Sequence, residues 1–118
     1  MLVADIHHVS INVSDIARAL EFYNGVLGLG MLPRPNFSFN GAWLDAGNGR
    51  QVHLIEGDVP PDVGQHVAFR VDDVDAAVAH LRAEGLDVSD PKPVGDTDIR
   101  QAFTHDPDGN LIELSQPA

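Results

Sequence analysis

The sequence of this chain repeats itself. Residues 8–15, His-Val-Ser-Ile-Asn-Val-Ser-Asp, align with residues 66–73, His-Val-Ala-Phe-Arg-Val-Asp-Asp, at an offset of 58. Ile16, Ala19, Leu20 and Tyr23 then fall opposite Val74, Ala77, Val78 and Leu81. Further on the offset becomes 60: Ala42-Trp43 matches Ala102-Phe103, Gly49 matches Gly109, and Val52-His53-Leu54 matches Ile112-Glu113-Leu114. Two extra residues between the sets need only a change of loop length. Matches in the same order through both halves mean one structural unit used twice, so whatever one half folds into, the other must fold into as well.

Each half reads as strand, helix and three strands. The first strands lie near 5–13 and 65–71, where apolar and polar residues alternate. Helices follow near 15–27 and 73–84. Ser14 and Asp72 are the expected N-caps, and Asp15 and Asp73 suit the positive end of each helix dipole. Ile16, Ala19, Leu20, Tyr23 and Leu27 recur at helical period on one face. Gly28 and Gly85 stand where a helix ends. Further strands are expected near 29–34, 40–46 and 50–56, and near 86–90, 98–105 and 110–115. Tight turns fall at 45–49 and 106–110. Residues 57–64, rich in Pro and Gly, link the halves. The expectation is a single α+β domain over 1–118 built from two βαβββ modules, about 1–57 and 64–118.

Strand parity then selects a site. Side chains alternate faces along a strand. Val9, Ile11 and Val13 face the helix, leaving His8, Ser10 and Asn12 on the other side. Val67, Phe69 and Val71 likewise leave His66, Ala68 and Arg70. Val52 and Leu54 leave His53, and Ile112 and Leu114 leave Glu113. So His8, His53, His66 and Glu113 occupy two pairs of repeat-related positions, all turned away from the helices. If the two sheets curl around a common concavity, a pseudo-two-fold axis gathers three imidazoles and a carboxylate. Such a set suits a divalent ion: Zn, Ni, Co, Mn or Fe. His7 adjoins the first of these, and parity puts it on the helix side.

Composition narrows the chemistry. There is no cysteine, so thiolate ligands, thiol nucleophiles and disulfides are excluded. The net charge of −11 argues against nucleic-acid partners. No apolar run reaches the length of a membrane span, and residues 1–10 lack the pattern of a signal peptide, so a cytoplasmic location is expected. The 118 residues suit one domain able to bury its own core.

The stretches IHHVSINVSDIARALEFYNGVLGL, GAWLDAGNGRQVHLIE, HVAFRVDDVDAAVAHL and FTHDPDGNLIEL together resemble the vicinal oxygen chelate superfamily of glyoxalase, bleomycin-resistance and dioxygenase proteins. The resemblance spans nearly the whole chain. It implies paired βαβββ modules forming a curved mixed sheet around a central cavity with a metal site, and ligands at His8, His53, His66 and Glu113. It also implies a small-molecule substrate chelated through vicinal oxygens, a homodimer, and a catalytic base at Glu113. The modules could pair within one chain or across two.

His53 stands where many glyoxalases I carry Glu, and Asn12 where they commonly carry a glutathione-binding Arg. Arg70, four residues after His66, is a candidate contact for a substrate carboxylate or other anion, with the solvated strand Arg as the alternative. Trp43, Phe37, Phe39 and Phe103 either line an apolar pocket or belong to the core; Asn12, Trp43, Phe103 and Arg70 are the candidate substrate contacts. The leading functional expectation is a metal-dependent lyase or isomerase of glyoxalase type. The alternatives are a metal-free drug-binding protein of bleomycin-resistance type, a fosfomycin-type thiol transferase and an extradiol dioxygenase.

Overall fold

The computed structural model describes all 118 residues and divides into two compact units, Met1–Pro60 and Pro61–Ala118. The first holds strands β1 (His8–Val13), β2 (Gly30–Leu32), β3 (Gly41–Asp45) and β4 (Gln51–Glu56), with helix α1 (Ile16–Leu20) running into a π-helical turn, Glu21–Val26. The second holds β5 (Val67–Arg70), β6 (Lys92–Pro93), β7 (Arg100–His105) and β8 (Leu111–Gln116), with helix α2 (Val74–Ala83). Each unit carries one four-stranded mixed sheet, in the orders β1-β4-β3-β2 and β5-β8-β7-β6. In both, the first strand pairs in parallel with the last, and the remaining pairs are antiparallel. The duplication read from the sequence is therefore a duplication of topology, and the fold is of the expected α+β class.

The alternation that defined the strands is visible in burial. Val13, Leu44, Val52 and Leu54 are core in the first unit, and Ala102, Ile112 and Leu114 in the second. Truncating one of these, such as Leu54→Ala, costs about 2–5 kcal/mol through lost burial and the cavity left behind. The turn between β7 and β8 is held by Asp106, which is 4% exposed. Its Oδ1 accepts from the backbone N–H groups of Asp108 and Asn110, and its Oδ2 from the Asn110 side chain.

Several local expectations are corrected. The N-caps are Asp15 and Asp73, not Ser14 and Asp72: each carboxylate accepts from the N–H three residues on, at Arg18 and Ala76. The first helix is not α-helical to its end. Asn24 and Gly25, both weak helix formers, sit in its last turns, and the backbone widens so that Leu27 N–H donates to the Phe22 carbonyl. Phe22, off the expected apolar face, is buried beside Tyr23, their rings edge to face at 4.9 Å.

The strand expected at 86–90 does not form. Val88 is buried there, yet its carbonyl is taken by Arg82 and that of Asp87 by the Thr104 hydroxyl. Only Ser89 N–H reaches β7 through the backbone, at Phe103 O. The ladder instead forms at Lys92–Pro93, opposite Gln101 and Arg100.

Candidate metal centre

In the first unit, β1 and β4 lie side by side, with Ser10 opposite His53. The His8 and His53 rings stack at 4.0 Å. His53 is 8% exposed and its Nε2 lies 2.8 Å from Gln51 Oε1. An amide oxygen only accepts, so Nε2 carries the proton and the neutral ring keeps its lone pair on Nδ1. Burial, helped by the neighbouring His8, lowers the His53 pKa and favours that neutral, ligating form. His7 does not face the helix. It precedes β1 and is exposed, with its Nδ1 2.8 Å from His8 Nδ1.

The second unit repeats the arrangement with a carboxylate. His66 immediately precedes β5, and Glu113 stands at the third position of β8. His66 Nε2 lies 2.9 Å from Glu113 Oε1, and His66 Nδ1 lies 2.8 Å from the Gly64 carbonyl. That carbonyl cannot donate, so Nδ1 carries a proton and Nε2 is the nitrogen offered toward Glu113. The Gly64 hydrogen bond, reinforced by Glu113, raises the His66 pKa. A second ring nitrogen anchored on a backbone carbonyl is the usual support of a ligating histidine.

Each pair has an aromatic neighbour supplied by the adjoining antiparallel strand. Trp43 is opposite His53 in register and stacks on it at 4.3 Å with planes 5° apart. Phe103 is opposite Glu113 and meets the His66 ring edge to face at 5.8 Å. Beyond Trp43, Phe37 and Phe39 stack at 5.1 Å, and the Arg34 guanidinium lies over both rings. The other two candidate contacts are engaged elsewhere: Asn12 donates to the Asp58 carbonyl at 2.9 Å, and Arg70 pairs with Asp72 at 3.1 Å.

Thus the structure brings His8 to His53, and His66 to Glu113. Neither unit by itself gathers three or more His, Asp or Glu side chains in a metal-binding group. The donor chemistry of each pair suits a borderline divalent ion: two imidazoles in the first unit, with His53 favoured in its neutral form, and an imidazole anchored through Nδ1 with a carboxylate in the second. Gln51 and Gly64, which set these ring orientations, were not singled out by the sequence. The i, i+2 spacing to His53 and His66 was the available signal.

The fold is that of a recognisable class. A family model, the Glyoxalase/Bleomycin resistance protein/Dioxygenase superfamily, matches residues 5–114. The chain belongs to that superfamily. It is 31% identical over 119 residues to a lactoylglutathione lyase of Salmonella typhimurium, covering 91% of this chain and 88% of that protein. Among solved structures, it resembles TnmS3, an antibiotic binding protein from Streptomyces sp. CB03234. There the TM-score is 0.82 and the identity 32%, with 100% of this chain and 99% of that one covered. A glyoxalase family protein from Enterococcus faecalis matches at TM-score 0.83 and 25% identity, covering 98% of this chain and 99% of that one. No helix is long and apolar enough to cross a membrane.

Proposed function

We propose that the two units act as one domain in a metal-dependent, glyoxalase-like enzyme of lyase or isomerase type. In this reading His8, His53, His66 and Glu113 hold one divalent ion, and the substrate is a small oxygenated molecule. The observation that carries the proposal is the repetition of one arrangement. The residue at the start of the first strand, or just before it, meets the residue at the third position of the last strand, once as His8 with His53 and once as His66 with Glu113. Core packing requires no imidazole at either place, and lactoylglutathione lyase is among the names carried by relatives of this length.

A divalent ion held by these residues supplies Lewis-acid polarisation of substrate oxygens. Glu113 is the group suited to proton transfer, since its carboxylate lies 2.9 Å from His66 Nε2, the ring nitrogen that the Gly64 carbonyl does not occupy. His53 cannot serve as a second carboxylate, so a reaction that needs one basic group is favoured over one that shuttles a proton between two. Trp43 and Phe103, each beside a ligand, shape the apolar walls of the substrate site.

The test is turnover by metal-loaded protein over three substrate classes: α-ketoaldehyde–thiol adducts, epoxides with a thiol, and catechols. Metal-stimulated turnover in one class, lost in Glu113→Gln, is expected. Stoichiometrically loaded protein that turns over none of them contradicts the enzyme reading. A second reading, a metal-free binder of aromatic small molecules, is favoured by the exposed, stacked Phe37 and Phe39 and by the likeness to TnmS3. Ligand binding unchanged by a chelator would select it.

A further inference from the structure

Asp62 uses its two carboxylate oxygens for different tasks. Oδ2 accepts from Nε2 of His105, the last residue of β7, at 3.0 Å. Oδ1 accepts from the backbone N–H of Gly64, also at 3.0 Å. Gly64 has a φ of 98°, a conformation that glycine adopts without strain and side chains resist. Its carbonyl then receives the proton on His66 Nδ1 at 2.8 Å, and His66 Nε2 is left facing Glu113. A continuous chain of hydrogen bonds therefore runs from β7 through the turn to the imidazole.

We propose that Asp62 and His105 are positioning residues for His66, tethering the turn whose carbonyl fixes the tautomer and orientation of its ring. The physical reason is a choice that a free imidazole does not make. Either nitrogen of a neutral histidine can carry the proton, and only a partner at the other nitrogen decides which. Here two acceptors compete for it: the Glu113 carboxylate at Nε2 and, at Nδ1, a backbone carbonyl in an exposed five-residue turn, which by itself is the kind of segment that opens readily. The Asp62 carboxylate ties it at one point to its own Gly64 and at another to the sheet. The His105 hydrogen bond also holds the Asp62 carboxyl below its ordinary range. The consequence for metal binding rests on the proposed role of His66 as a ligand; the consequence for the tautomer does not.

The experiment compares the wild-type chain with Asp62→Ala, Asp62→Asn and His105→Ala. The first readout is the ring nitrogen chemical shifts of His66 in metal-free protein, at a pH where the ring is neutral. In wild type, Nδ1 is expected to be protonated and Nε2 bare. Asp62→Ala and His105→Ala are expected to move both shifts toward a mixture of tautomers. Asp62→Asn keeps an oxygen for the Gly64 N–H and turns an amide N–H toward His105, whose ring accepts it at Nε2 once its own proton sits on Nδ1, so it is expected to restore most of the wild-type pattern. The second readout is Zn²⁺ affinity, expected to fall about tenfold or more in the two Ala variants with stoichiometry unchanged.

Unchanged His66 shifts in both Ala variants overturn the proposal, as does Asp62→Asn behaving like Asp62→Ala. Should wild type take up no Zn²⁺, the metal-centre reading fails while the shift comparison still decides this one. Far-ultraviolet circular dichroism and the urea midpoint check that each variant is folded. If Asp62→Ala does not fold, His105→Ala cuts the same tether without altering the turn.

Discussion

Trp43 and His53 lie face to face on neighbouring strands, their ring centroids 4.3 Å apart and their planes 5° apart. Trp43 is the only tryptophan of the chain, so its fluorescence reports on a single imidazole. Saturable quenching by Co²⁺ or Ni²⁺ is expected in wild type and lost in His53→Ala. A titration in which His53→Ala quenches like wild type would separate the stack from the metal.

Gly41 opens β3 at a place where a side chain has no room. A Cβ there would press into the Leu54 backbone carbonyl and meet the Arg34 guanidinium at 2.9 Å. Gly41→Ala is expected to destabilise the fold by about 1–3 kcal/mol. Gly57→Ala, where nothing lies within 4 Å, serves as the control with little effect. Urea midpoints of the two variants measure the difference, and equal midpoints would refute the close approach.

Arg100 reaches from β7 to Asp75 on α2, with bonds of 2.6 and 3.1 Å. The Arg100 hydrogen bond lowers the Asp75 pKa from 3.8. A carboxylate with a depressed folded-state pKa contributes stability above its unfolded pKa and loses it as pH falls through the folded value. Asp75→Asn should therefore lower the urea midpoint at pH 7, and the gap from wild type should close in acid, below about pH 4. Asp75 is exposed and Arg100 half-buried, so solvent screens the pair and the gap is expected to be small and to shrink with added salt. A gap that persisted in strong acid would assign it to something other than this charge.

Much of this architecture was legible because it rests on periodicity. The duplication identifies both sheets, and strand parity alone sets His53 and Glu113 between core neighbours. The misses fall where side chains compete with backbone ladders. Arg82 and Thr104 capture the carbonyls of Val88 and Asp87, so an alternating segment is no strand. The π turn buries Phe22, which an ideal helical period leaves off the apolar face. His7 defied parity because β1 begins only at His8, and parity holds only within a strand. The Asp62–His105 contact joins a linker to a strand end 43 residues away, a separation that no local pattern encodes.

Arg70 remains the candidate for a substrate anion despite its pairing with Asp72. Both side chains are highly exposed, at 73% and 93%, so the pair contributes little and exchanges easily. Arg70→Ala is expected to raise KM for an anionic substrate several-fold while leaving kcat and the urea midpoint near wild type. An unchanged KM would remove Arg70 from the site.

The most direct measurement is the metal content of purified chain, wild type and with His8→Ala, His53→Ala, His66→Ala or Glu113→Ala, after equilibration with Zn²⁺ or Ni²⁺ and removal of the excess. One ion per chain is expected in wild type, with occupancy or affinity falling sharply in all four variants, two from each unit. No stoichiometric metal in wild type, or full retention by the variants of one unit, would contradict a single ion held by His8, His53, His66 and Glu113.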